Sequence, residues 1–154
     1  MDKLKIDVEK ALPLIEEMIK PIALAKEIGR SSVWLVNRKN HNQGSSGEFK
    51  FSKEGISKLN SGIESIGSKL LQTRILYSKD REETVLQIKK LAETVQLRYI
   101  YENRMGKSKS WFCNRTKKSL QGLSVSRFSE DDVLAINLAI MDIANKLLSI
   151  EITL

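Results

Sequence analysis

LAKEIGRSSVWLVNR at 24–38 and YENRMGKSKSWFCNR at 101–115 are the two stretches on which the fold turns. Sliding the chain along itself by 77 residues superimposes them without a gap, pairing Gly29 with Gly106, Trp34 with Trp111, Asn37 with Asn114 and Arg38 with Arg115. The same offset pairs Phe51-Ser52 with Phe128-Ser129, Asn60 with Asn137, Ile63 with Ile140, Leu70 with Leu147 and Ile75 with Ile152. Self-similarity at one fixed spacing marks a tandem duplication. The chain of 154 residues is therefore read as two units, 1–77 and 78–154.

Within the first stretch Leu24, Ala25 and Ile28 form the inward face of a short helix predicted at 21–28, with Pro21 suited to its first turn. Gly29 ends it, since glycine takes the left-handed position beyond a helix at no steric cost. Ser31 is placed to cap a second short helix at 32–40, anchored by Leu35, and Ser108 to cap its copy at 109–117. Two short helices meet at a tight glycine turn, twice.

Outward from this core, apolar spacing predicts a leading amphipathic helix in each unit, at about 3–19 and 80–97. Pro13 interrupts the first or shifts its start, and Asp80 with Glu83 has the form of a capping box for the second. Polar stretches at 41–50 and 118–127 read as a plain loop or a small hairpin. Ser52 and Ser129 then cap the longest helices, running to about 72 and 149, with Phe51 and Phe128 stapled to Ile56 and Val133. Asn60 and Asn137, inside those apolar helices, are expected to bond a backbone group of the preceding loop. The fold class expected is all-α: two tandem four-helix units, each containing a helix-turn-helix, packed separately or as one compact pseudo-symmetric body.

The net charge is +7 with a pI near 9.5, a balance that suits a polyanionic partner. Its distribution is uneven. Residues 98–127 carry Arg98, Arg104, Lys107, Lys109, Arg115, Lys117, Lys118 and Arg127 against Glu102, whereas 21–50 carry Lys26, Arg30, Arg38, Lys39 and Lys50 against Glu27 and Glu48. Cys113 has no disulfide partner and is expected to be a small semi-buried side chain; with His41 as the one histidine there is no ligand cluster for a metal. No catalytic set assembles around His41 and no glycine-rich phosphate loop follows a strand, so neither an enzyme nor a cofactor is expected. No apolar run approaches the roughly 20 residues of a membrane span, and MDKLKIDVEKAL lacks the apolar core of a secretion signal. A cytoplasmic protein is expected.

On the residues quoted, the chain resembles the repressor and Cro type of helix-turn-helix protein. More closely it is similar to short regulators of Bacteroides phages and mobile elements, whose units read LAxxIGxSxxWL, then NR or QR, then a Phe-Ser/Thr-capped helix. The resemblance covers about 19–75 and 96–152. It implies double-stranded DNA as the partner, transcription regulation as the role, and insertion of each second short helix into the major groove. The base-reading positions it implies are Ser32, Val33, Val36 and Asn37, then Lys109, Ser110, Cys113 and Asn114. Asparagine can pair twice with adenine, and Lys109 can reach guanine. Arg30, Arg38 and Lys39, with Arg104, Lys107, Arg115, Lys117 and Lys118, would hold phosphates.

The chain departs from that pattern where Arg38 and Arg115 occupy a position normally apolar. A tryptophan four residues earlier can stack beneath each guanidinium, which leaves the recognition register fixed only to about one residue. Glu102 replaces Ala25 at the close-packed position, so the second helix-turn-helix is expected to be distorted. Two readings stay open: a DNA regulator in the cytoplasm of a bacterial host, or a structural adaptor in a phage particle or other large assembly that reuses the fold for protein contacts. A homodimer or larger assembly is compatible with both, and no small-molecule ligand is evident.

Overall fold

In a computed structural model the described residues are 2–40, 43–44, 47–48, 50–118 and 126–154, and the chain is mainly helical. Strand β1 (Leu4–Asp7) leads into α1 (Val8–Met18), α2 (Pro21–Glu27) and α3 (Ser32–Lys39). Two short strands, β2 (Gln43–Gly44) and β3 (Gly47–Glu48), pair antiparallel before the long helix α4 (Lys53–Leu71). The second half repeats the order: α5 (Arg81–Leu91), a π-helix (Tyr99–Arg104), α6 (Lys109–Thr116), the long helix α7 (Glu130–Leu148) and strand β4 (Ile150–Thr153).

The helix starts are set by side chains that accept otherwise orphaned backbone N–H groups. Ser31 accepts from Trp34, Ser108 from Trp111, Ser52 from Gly55 and Ser129 from Asp132, as the repeat predicts. At α7 the carboxylate of Asp132 also accepts from the Ser129 backbone at 2.9 Å, completing a capping box. At α5 that box does not form. Asp80 accepts from Glu82, and Glu83 instead accepts the Ser78 hydroxyl at 2.6 Å.

The leading segment also departs from the expected helix at 3–19. Leu4–Asp7 is a strand, paired in parallel with Ile150–Thr153 at the far end of the chain, and Asp7 caps the helix that follows. Ile150 and Ile152 are buried while Ile6 is half-buried, so the alternating LKID pattern is satisfied by a partner almost a full chain length away. Pro13 lies within α1 without ending it.

One hydrophobic core draws on both halves of the sequence, from Ile15, Leu24, Leu59 and Ile63 to Ile88, Ile136, Ile140 and Leu147. At its centre α4 packs along α7. Gly67 makes the crossing close: a Cβ there would lie 3.0 Å from Leu148 Cγ and 3.3 Å from the backbone oxygen of Ala144, its own repeat counterpart. An antiparallel bridge between Ile19 and Val95 ties the end of α1 to the segment after α5.

The two long-helix asparagines fasten the halves together, and not to the loops before their helices. Asn60 Nδ2 donates to Ile152 O at 3.0 Å while Ile152 N donates to Asn60 Oδ1 at 2.7 Å. Asn137 does the same with Ile75, at 2.9 and 2.7 Å. Since Ile75 and Ile152 are themselves repeat counterparts, each long helix holds the chain leaving the other. Removing either amide strands a backbone N–H and a C=O, at about 1–3 kcal/mol per unsatisfied group. Asn60→Ala and Asn137→Ala should each lower stability by about 2 kcal/mol or more in urea unfolding, with unchanged slope. A loss below about 0.5 kcal/mol, the scale of ordinary surface changes, would show that the clasps carry no weight.

Candidate nucleic-acid interface

α2 closes on Gly29 at φ +72°, with Arg30 N donating to Ala25 O and Gly29 N to Lys26 O, the paired bonds of a left-handed helix cap. The turn sends α3 off at once, and Leu24, Ala25 and Leu35 are buried against the body. Gly62 on α4 lets α2 approach, since a Cβ there would meet Ile28 Cγ2 at 2.6 Å. In the second half Gly106 has φ +66°, but the preceding segment is wound as a π-helix, and Lys107 N reaches back to Tyr101 O. The buried aliphatic pair Leu24 and Leu35 is replaced there by Tyr101 and Phe112, stacked at 4.8 Å, and the wider turn accommodates the larger rings. Glu102 is exposed and bonded to Arg98, so it never enters the position that Ala25 fills. The expected irregularity of the second copy is thus a widened first helix.

Each tryptophan is half-buried and wedged between ring and guanidinium. Trp34 meets Phe51 edge-on at 6.1 Å, and Trp111 meets Phe128 at 5.7 Å, so the phenylalanines expected to staple the long helices support the tryptophans. Arg38 lies 4.3 Å above Trp34 and Arg115 lies 4.1 Å above Trp111, each donating to the tryptophan's own carbonyl at 3.3 and 3.0 Å. Arg30 and Lys107 approach the same rings at 5.7 and 5.3 Å. Burial first, and Arg30 second, pull the Arg38 pKa below its ordinary value. A cation–aromatic–cation sandwich therefore precedes and underlies each second helix.

Around these sandwiches Ser32, Val33 and Val36 stand exposed on α3, with Asn37 half-buried, and Lys109, Ser110, Cys113 and Asn114 are all exposed on α6. Cys113 is on the surface, not semi-buried as expected. Several cations read as phosphate holders already have protein partners. Lys39 donates to Glu16 at 2.7 Å, Arg104 lies 3.6 Å from Asp142, and Arg38 and Arg115 are committed to their tryptophans. Arg30, Lys107, Lys117 and Lys118 are exposed. The polar stretch after α3 carries the β2–β3 hairpin, whereas His41 and residues 119–125 lie outside the described residues.

Sequence pattern alone does not assign Arg81 to this region. It is buried at the start of α5 and donates to Arg115 O at 3.0 Å, Lys117 O at 2.7 Å and Ser126 O at 2.9 Å, with Glu82 as its counterion at 2.7 Å. The cation thus sits at the C-terminal end of α6, where unpaired carbonyls and the helix dipole favour it. Its repeat counterpart is Leu4, a break in the repeat that shows in the sequence without revealing its purpose. α3 is fastened differently, through Lys39 to Glu16 of α1. Glu27 secures the base of the first motif, accepting from the Ser65 hydroxyl and from Lys69 at 2.9 and 3.0 Å.

A mainly helical protein with two exposed second helices, each set behind a left-handed glycine, is what these elements define. Residues 84–154 match a protein-family model described as a domain of unknown function (DUF5053), a range within the second half. No curated protein and no solved structure gave a match.

Arg81→Met should cost about 2–4 kcal/mol, because several charge-assisted bonds to carbonyls vanish together, and Arg81→Lys should recover less than half of that for want of the planar fork. Equal stability of the lysine variant and wild type in thermal melts would count against the fork. The bonds from Ser65 first, then Lys69, hold the Glu27 carboxyl below the ordinary carboxylate range. A depressed folded value contributes stability that is complete above the unfolded value of about 4.3 and lost as pH falls through the folded one. Glu27→Gln should therefore be less stable at neutral pH, with the difference shrinking on acidification; a constant difference would contradict the linkage.

Proposed function

We propose that the chain binds double-stranded DNA as a transcription regulator of a phage or mobile element in a bacterial cytoplasm, through two tandem four-helix units that each present a helix-turn-helix. The observation that carries this reading is the repetition of a whole device: left-handed glycine, serine cap, tryptophan under arginine, and an exposed first turn on the second helix. Cores preserve hydrophobic spacing without preserving exposed side chains, yet the exposed turns carry the residues a groove-reading helix uses. On α3 the exposed methyls of Val33 and Val36 suit thymine methyl groups. On α6 Lys109 suits guanine and Asn114 adenine, so the two half-sites should differ.

The phosphate-holding role falls first to Arg30, Lys107, Lys117 and Lys118, the exposed cations. Arg38 and Arg115, seated on their tryptophans, present a fixed positive edge close to Arg30 and Lys107. An adaptor role draws on the same two valines, because exposed apolar side chains also suit a protein surface. The two readings separate on salt. Neutralised phosphates release counterions, so the logarithm of affinity for DNA falls linearly with log salt by about 0.9 per phosphate neutralised.

Duplex binding should therefore weaken steeply with salt, and K107A/K117A/K118A should reduce that slope by about 2 to 3 while affecting all duplexes alike. K109A/N114A should instead flatten preference among duplexes, by about 1–3 kcal/mol for each base pairing removed. Wild type and the triple variant binding equally at low salt would overturn the DNA reading and leave the protein-contact one.

A further inference from the structure

The two long helices have the same inward faces and opposite outward ones. On α7, Leu134, Leu138 and Met141 are 58%, 55% and 36% exposed, at spacings of four and three residues that put them on one stripe. The positions 77 residues earlier on α4 are Ser57, Ser61 and Glu64. Leu76 and Leu86, each 70% exposed, lie nearby: Leu76 follows the Ile75 that Asn137 holds, and its N–H and C=O both bond to the Gln87 side chain. Their repeat counterparts are Thr153 and Glu9. Five exposed apolar residues thus replace five polar ones in a duplicated body. Scattered surface leucines need no explanation, whereas a stripe absent from the sister helix calls for a partner.

We infer that this face of α7 is a homodimer interface, in which α7 packs antiparallel on α7 of a second copy. Charge selects that occupant. Glu130 and Asp131 are exposed in the first turn, and Lys146 is exposed near the other end with Asp142 and Tyr99 occupying only two of its three donors. Asp131 and Lys146 stand seven and eight residues from Leu138, about 10 and 12 Å along the axis. Two antiparallel helices crossing at Leu138 therefore set each acidic first turn beside the other copy's Lys146, with the helix dipoles opposed. A parallel pair would set like charges together. The surface is separate from α3 and α6, so the inference holds whether or not those helices read DNA.

Sedimentation of the full chain over a concentration series tests it. L134S/L138S/M141E gives α7 the residues α4 carries at those positions, and it should sediment as a monomer with a melting temperature unchanged at low protein concentration. E130K/D131K should weaken the wild-type dimer by about tenfold at low salt, and adding K146E should restore much of that. A wild type that stays monomeric at the highest attainable concentration overturns the inference and turns the stripe over to a different protein. Dimers that survive the triple substitution in a folded variant overturn it equally.

Discussion

The structure hangs on a reciprocal exchange: Asn60 holds the backbone of Ile152, and Asn137 holds that of Ile75. Each asparagine sits in a long apolar helix, where an unsatisfied amide would be costly, and each is satisfied by the chain leaving the other half. Duplication alone gives two copies of a small helical unit whose cores are thin. Exchange across α4 and α7, with β1 on β4, merges them into one core and fixes how the two short-helix pairs project from it.

From that base, each second helix is held by rings below and an ion pair or cation at its C-terminal end. The fastenings differ between halves, Lys39 to Glu16 in one and Arg81 to two α6-end carbonyls in the other. The aliphatic pair under α3 is likewise aromatic under α6, with a π-helix before it. Such differences between sister elements are where the halves acquired separate tasks. The first keeps the regular turn and apolar exposed valines, and the second keeps the charge.

Much of this was legible in the residues because the signals are local. Caps at Ser31, Ser52, Ser108 and Ser129, left-handed Gly29 and Gly106, and the tryptophan–arginine stacks each depend on neighbours within a few positions. What escaped is long-range. LKID becomes a strand only because Ile150–Thr153 lies beside it, and Asn60 finds its partner 92 residues away. Arg81 reads as a solvated charge in the first turn of an amphipathic helix, since nothing local shows three carbonyls converging on it. Lys39 and Arg104 read as free phosphate holders for the same reason, their acidic partners lying 23 and 38 residues away.

The central claim, that α3 and α6 are the surfaces that meet DNA, is tested most directly by titrating a duplex into uniformly 15N-labelled protein and following backbone amide shifts. Perturbations should gather at residues 30–37 and 107–114, with the amides of α4 and α7 interiors left in place. Shifts confined to the exposed face of α7, or absent from both second helices at saturating duplex, would contradict it.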